Sequence, residues 1–346
     1  MVEYIGLDVS KEMTSYCVKS RQGKVLARGK VETDPDALFK ALKKHCLCPE
    51  RIILETGTLS HWLGRELCRR GLPAEVIDAR HAHAIMRMQH NKTDENDATL
   101  LAELARTEFY RAVAIKNEAA QKQRILLKAR SHLVGARQSA QNTIRGLMGG
   151  LGIRFAKGSG TFVRRVREIL QGHPDLALMI DPLLAHVEAA EREIKKLDRL
   201  VTAHAKADPA CRLLMTIPAV GAVTALAFVS TVDEADRFGK SRSVGAYLGL
   251  TCRRNQSGEM DYSGRISKKG DKMLRSLLYG AANTLLTRSR RAHPLKTWAR
   301  QVKKRTSHKR ACVALARKLA VIMHTMLMTG EAFLWPAVNA KEKAAA

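Results

Sequence analysis

The chain has 346 residues, enough for two or three domains. Hydrophobic residues make up 45% but aromatics only 5%, so its cores must be built from Leu, Ala, Val and Ile. Sixty Lys and Arg against 33 Asp and Glu leave a net +27, a self-repelling charge that calls for a polyanionic partner, of which nucleic acid is the obvious one. The bland alternative is a merely soluble basic surface. The basic helices lack aromatic anchors, which argues against a membrane-surface protein. The seven cysteines are scattered with no C-x2-C pair, which argues against a disulfide scaffold or a zinc ribbon; reduced thiols in a cytoplasmic protein are expected. The first residues, MVEYIGLDVSKE, have no basic-then-apolar leader pattern, and the uncharged run Ile217–Val232 is short and carries Pro218 and Gly221, so no membrane span is expected.

In chain order, YIGLDV at 4–9 reads as a buried strand ending in an acid. Strands at 14–18 and 25–31 follow around the Arg21-Gln22-Gly23 turn, and Pro35 opens a helix through Lys44. RIILE at 51–55 is a second apolar strand ending in an acid; Ser60 caps a helix to Arg70, and 74–78 is a fifth strand. This order predicts an α/β layer with a mixed sheet. From Thr93 to about Ile153 the pattern is helical. A second helical block, 174–207, carries Leu183, Leu184, Val187, Ile194, Leu197 and Leu200 on one face, the pattern of a coiled-coil arm or a bundle helix. Lys157-Gly158-Ser159-Gly160 reads as a flexible loop between them. Beyond Asp208 come a helix, the Ile217–Gly221 turn, a helix, an Arg- and Gly-rich loop, and long helices near 270–289 and 307–329; the terminal KEKAAA reads as a disordered tail. The domain expectation is 1–115, 116–207 and 208–335, with a tail at 336–346.

Four acids stand out. Asp8 and Glu55 each end an apolar strand, where a lone carboxylate is costly and a divalent cation is a natural partner. Asp94 and Asp97, three apart at the start of a helix, share one face. Capping explains Asp94 well, but leaves Asp97 without a role. Two strand-end acids and two helix acids form the arrangement that binds two Mg2+ ions for phosphoryl transfer. His81 and His83 lack a complete ligand set and read as surface or core histidines. Basic residues concentrate between 251 and 320, where 19 Lys and Arg stand against 3 acids, a net +16.

GLDVSK, ETGT and KTDENDA, followed by IPAVG, DRF at 236–238, AYLGL at 246–250, RRNQSG at 253–258, GRISKKG at 264–270 and LRSLLYGAA at 274–282, resemble the DEDD transposases of insertion sequences. The resemblance covers most of the chain outside the central helices. It implies an RNase H-like, RuvC-like N-terminal domain, a helical or coiled-coil arm and a mainly helical C-terminal domain. It implies catalytic, Mg2+-binding roles for Asp8, Glu55, Asp94 and Asp97, and a nucleophilic role for Ser257. Donor and target DNA, a structured bridge RNA that guides the protein, a homodimer or homotetramer, and a bacterial or archaeal cytoplasm are implied as well. Arg253, Arg254, Arg265, Lys268, Lys269, Lys303, Lys304, Arg305, Lys309 and Arg310 are the expected contacts to nucleic-acid backbone. One departure is Ala219, where the family usually has glycine. Two rival readings remain: a resolvase-like endonuclease in which water attacks and Ser257 is structural, and a non-catalytic nucleic-acid-binding protein.

Overall fold

The computed structural model describes residues 2–45, 48–87, 91, 93–155, 161–289 and 293–334. The loop expected at 157–160, the tail at 336–346 and Lys92 of the KTDENDA motif lie outside the described residues. The chain forms two compact units, Met1–Asn117 and Glu118–Ala346.

The first unit contains β1 (Glu3–Val9), β2 (Met13–Ser20), β3 (Val25–Glu32), α1 (Pro35–His45), β4 (Pro49–Glu55), α2 (Ser60–Arg69), β5 (Ala74–Ile77), α3 (Ala79–Met86), α4 (Asp94–Thr107) and β6 (Ala112–Val113). The sheet order is β3-β2-β1-β4-β5-β6, with β1, β4 and β5 parallel and the others antiparallel to their neighbours. The two runs read as apolar, YIGL and RIIL, are its central parallel strands, and both faces of such strands must be covered. Leu38, Leu42, Leu63 and Leu67 of α1 and α2 cover Ile5, Leu7, Ile52 and Leu54 on one face. Leu101, Leu104 and Ala105 of α4 cover Tyr4, Ile53 and Ile77 on the other. β3 alternates half-buried and exposed residues, as an edge strand should. α3 falls where no element was expected, β6 interrupts a stretch read as helical, and Ser60 is the first residue of α2 rather than its cap. α3 and β6 are too short for their periodicity to stand out.

The second unit contains α5 (Glu118–Gly149), α6 (Phe162–Leu170), α7 (Pro174–Ala207), α8 (Pro209–Leu214), α9 (Ala222–Val232), α10 (Arg242–Tyr247), β7 (Cys252–Ser257), β8 (Met260–Ile266), α11 (Lys272–Thr287), α12 (Pro294–Arg305) and α13 (His308–Thr329). Long helices α5 and α7 pack on one another. Ile144, Met148, Phe162, Leu184 and Val187 form a local core with α6. At the other end of the pair, Leu127, Val201 and Ala205 enter the main core beside α9, α11 and α13. The regions read from sequence as an arm and a serine-bearing domain therefore share one core and lie in one compact unit. α13 is apolar and long enough to cross a membrane by composition, and half of its most apolar window is buried inside this core.

Two sequence expectations need correction here. The Arg- and Gly-rich stretch read as a loop is an antiparallel hairpin, β7 paired with β8. Twelve of its thirteen strand residues are exposed, so no hydrophobic alternation marks it as strand. The stretch read as helical from Thr93 to about Ile153 is interrupted: α4 ends at Thr107, Glu108 takes a left-handed φ of 57°, and β6 intervenes before α5.

Candidate active site

The geometry of the acids begins with a glycine. A Cβ placed on Gly6 would stand 2.2 Å from both Ala98 O and Ala102 N. Only glycine lets α4 lie this close to β1. Strand alternation then puts Asp8, two residues on, on the same face as Gly6. The register Gly6↔Ile53 and Leu7↔Leu54 continues to set Asp8 beside Glu55, also on the α4 face. Across the antiparallel side, Asp8 pairs with Ser15 and Ser15 with Lys30. One row of the sheet, Lys30–Ser15–Asp8–Glu55, thus faces α4.

The direction of α4 brings its acids to that row. Arg51, near the start of β4, donates to Ala105 O at 2.8 Å, while Ala98 lies over Gly6 further along the sheet. The helix therefore runs against β1 and β4, and its first turn overhangs their carboxyl ends, where ligands of α/β sheets collect. Thr93 caps that turn, its Oγ1 accepting from Asn96 N at 3.2 Å. Asp97 faces the sheet, with 6% of its surface exposed. Asp94 points outward and accepts from Lys30 Nζ at 2.9 Å. Glu55 Oε1 is 3.2 Å from His83 Nε2. Lys30 carries no signal in the sequence, and His83, read there as a surface or core histidine, stands beside Glu55. Lys30 is one basic residue among many, and His83 sits on the unpredicted α3.

The residues fit a hard divalent cation in kind. All four donors are carboxylates at one end of one sheet. No group of three or more His, Cys, Asp and Glu among the described residues is closed tightly enough to hold a metal unaided. A hard divalent ion of the Mg2+ kind needs only one or two carboxylates and takes the rest of its shell from water and substrate phosphate. Removal of Lys30 from Asp94 is the adjustment such binding requires; that pair is half exposed and weak.

The serine is built differently. Ser257 ends β7, opposite Met260, with Gly258 at φ 55° opening the turn. It is exposed, and its hydroxyl has no hydrogen-bond partner among the described residues. Arg254, three residues before, points to the opposite face of the ribbon by strand alternation. There its fork grips Asp261, at 2.8 Å and 2.5 Å, and holds that carboxyl below the usual carboxylate range. Arg254 and Ser257 thus lie on opposite faces of the ribbon. Arg253 falls in the irregular stretch of the pairing, and its guanidinium donates to Ser267 O at 3.4 Å. All ten cations expected on nucleic acid are exposed, and Arg254 is the one among them in an ion pair among the described residues. Lys303, Lys304 and Arg305 close α12, and Lys309 and Arg310 open α13. In the Ile217–Gly221 turn, Ala219 has φ 68°, a conformation that glycine adopts at no steric cost.

Comparison with known proteins places these features in a family. Residues 5–152, which contain all four acids, match the DEDD transposase model of IS110 type, described as Transposase. Residues 211–297, which contain Ser257, match the model described as Transposase IS116/IS110/IS902 family. The chain is 30% identical to a transposase for insertion sequence element IS1111A of Coxiella burnetii, over 96% of this chain and 91% of that one. It is 26% identical to a probable family 20 transposase of Pseudomonas aeruginosa, over 93% and 96%. The transposase for insertion sequence element IS1328 of Yersinia enterocolitica is also 26% identical, over 96% and 98%.

Proposed function

Since the chain belongs to the IS116/IS110/IS902 family of insertion-sequence transposases and is a DNA transposase, we propose that it cuts and rejoins DNA with two devices, a carboxylate site in the first unit and Ser257 in the second. What supports the first is that strand register and the glycine-mediated approach of α4 bring Asp8, Glu55 and the buried Asp97 to the carboxyl end of β1 and β4, with Asp94 one turn away on the same helix. Asp8, Glu55, Asp94 and Asp97 hold Mg2+, in a two-ion site. When bound, the ions supply charge neutralisation at the attacked phosphate and its leaving oxygen. Asp97, buried against the sheet, fixes one carboxylate in place; Asp94 provides one that moves.

Ser257 supplies the nucleophile. Its Oγ forms a bond to phosphorus as one P–O bond to a sugar breaks, the hydroxyl proton leaves and the departing sugar oxygen takes one up. The phosphoserine link retains the phosphodiester for attack by a second strand, which rejoins the DNA and frees the serine. Exposure on a ribbon suits a group that must reach a phosphate on a bulky duplex. Arg253, Arg265, Lys268, Lys269, Lys303, Lys304, Arg305, Lys309 and Arg310 bind nucleic-acid backbone, and Arg254 joins them when phosphate displaces Asp261. The guide in this reading is a structured RNA and the active form a homodimer or homotetramer; both follow from the family resemblance, and exchange between two duplexes requires several cuts.

The test is a covalent adduct. A DNA substrate blocked in rejoining is incubated with the protein, denatured mid-course, and examined for DNA retained on protein. Wild type should retain it at Ser257 by peptide mapping, and Ser257→Ala should not. If Ser257→Ala still cleaves, water is the nucleophile and the serine is a turn residue.

A further inference from the structure

The motifs AYLGL and GRISKKG meet in the second unit, and neither the acids nor Ser257 explains why. Gly249 (φ 70°) carries no Cβ because one would stand 1.9 Å from Lys269 O; on Gly270 (φ 85°) one would stand 2.1 Å from Tyr247 O. The two glycines let segments 247–249 and 268–270 cross backbone to backbone. Lys268 N donates to Gly249 O at 3.1 Å and Ser267 N to Thr251 O at 2.8 Å. Arg275 Nη1 staples the crossing, reaching Leu248 O, Lys269 O and Gly270 O at 3.0–3.2 Å. Lys268 itself is held at φ 55°, a conformation uncommon outside glycine and one that persists only where the surroundings impose it.

This rigid crossing forms one wall of a pocket of about 330 Å3, open to solvent, at the low end of the range for ligand sites. Its lining joins Leu250, Ile266, Val313 and the half-buried ring of Tyr279 with Lys268 and Lys272. Neither lysine has an ion-pair partner among the described residues. The nearest acid in sequence, Asp271, is already committed: it accepts from Arg124 at 2.6 Å and from Leu274 N at 2.7 Å. An apolar slot with an aromatic ring, bordered by uncompensated ammonium groups, matches a flat base attached to a phosphodiester. A plain phosphate site would not need the apolar lining, and an apolar ligand would not need the lysines.

We propose that this pocket holds one unstacked nucleotide of a nucleic-acid strand, its base against Tyr279 and its flanking phosphates at Lys268 and Lys272. The inference rests on the reading of the chain as a nucleic-acid-processing enzyme but not on the role of Ser257. The pocket lies at the base of the hairpin, since Ile266 pairs with Cys252, five strand residues from Ser257. At about 3.3 Å per residue that is roughly 17 Å along the ribbon, on the order of five base steps of duplex. A strand lying along the ribbon would therefore have its held nucleotide about five steps from the tip of the hairpin, and the pocket sets the register of that strand.

Full-length protein is titrated into a short oligothymidylate carrying one 2-aminopurine, and into its RNA counterpart, reading base emission and anisotropy. Binding to wild type should change the emission. Tyr279→Leu removes the ring, and Ser276→Leu fills the pocket from an exposed helix position that does not disturb the core. Both should abolish the emission change and weaken single-strand binding roughly tenfold, the scale of one lost base stack, while duplex binding stays the same. A response with DNA alone, RNA alone or both supports the pocket and identifies the strand it takes. Wild-type emission and affinity in Ser276→Leu overturn it, whatever Tyr279→Leu does. Ser257→Ala should retain the emission change. An adduct that persists in Ser257→Ala beside an intact emission response would refute the serine reading and leave the pocket standing.

Discussion

Gly6 is the position where a single methyl group should damage both fold and chemistry. In Gly6→Ala the new Cβ meets Ala98 O and Ala102 N at 2.2 Å. Both are backbone atoms of α4, so no rotamer change relieves the clash. Reaching an ordinary contact of 3.4 Å requires the helix to lift by about 1 Å. Overpacking of this kind costs about 1–3 kcal/mol, which for a unit near 100 residues lowers its unfolding midpoint by roughly 4–12 °C. The displaced helix carries Asp94 and Asp97, while Asp8 and Glu55 stay on the sheet. A misplacement of about 1 Å among catalytic groups costs on the order of 100-fold in rate. Thermal unfolding by circular dichroism and an excision assay, run on wild type and Gly6→Ala at a temperature where both are folded, measure the two effects separately. An alanine protein with wild-type midpoint and activity would refute the close approach of α4 to β1, and with it the argument that brings the four acids together.

Asp97→Asn keeps the shape of a buried side chain and removes its charge; it should leave the unfolding midpoint nearly unchanged and lower recombination in Mg2+ by two or more orders of magnitude, several kcal/mol of lost charge stabilisation, so near-normal activity would remove Asp97 from the site. Glu103, gripped by Arg106 and Lys19, has its pKa lowered from 4.5 to about 2. Because the folded value is the lower one, its stabilisation is present above pH 4.5 and is lost as pH falls towards 2. Glu103→Gln should therefore be less stable than wild type at neutral pH and converge with it in acid; parallel stability curves over that window would contradict the pairing. Affinity for DNA should fall by about 10³–10⁵ between 50 and 200 mM salt if some 6–10 phosphates are contacted, measured by anisotropy across that range. A flat response would count against the exposed cations as its footprint.

Much of the first unit was legible in the sequence because central parallel strands announce themselves. YIGL and RIIL are uninterrupted apolar runs, each ending in an acid, and a helix opening with Thr93 before three acids has a recognisable cap. These local signals determined that Asp8, Glu55, Asp94 and Asp97 are strand-end and helix-start carboxylates, and periodicity alone placed α7 at 174–207. The signals fail where structure is not carried by local pattern. The β7–β8 hairpin is exposed on both faces, so no burial alternation marks it. α3 and β6 are too short to show a period.

What tertiary structure alone decided is adjacency, which depends on register and on how closely backbones approach. The sequence contains Gly6, but not the fact that α4 crosses it at a distance excluding any Cβ. It contains Arg254 and Ser257 three residues apart, but strand pairing turns them to opposite faces and gives Arg254 to Asp261. Lys30 and His83 reach the acids from β3 and α3 through the order of strands in the sheet, a long-range property that nearest-neighbour pattern does not encode. Gly249 and Gly270, twenty-one positions apart, likewise acquire their common purpose only where the chain crosses itself.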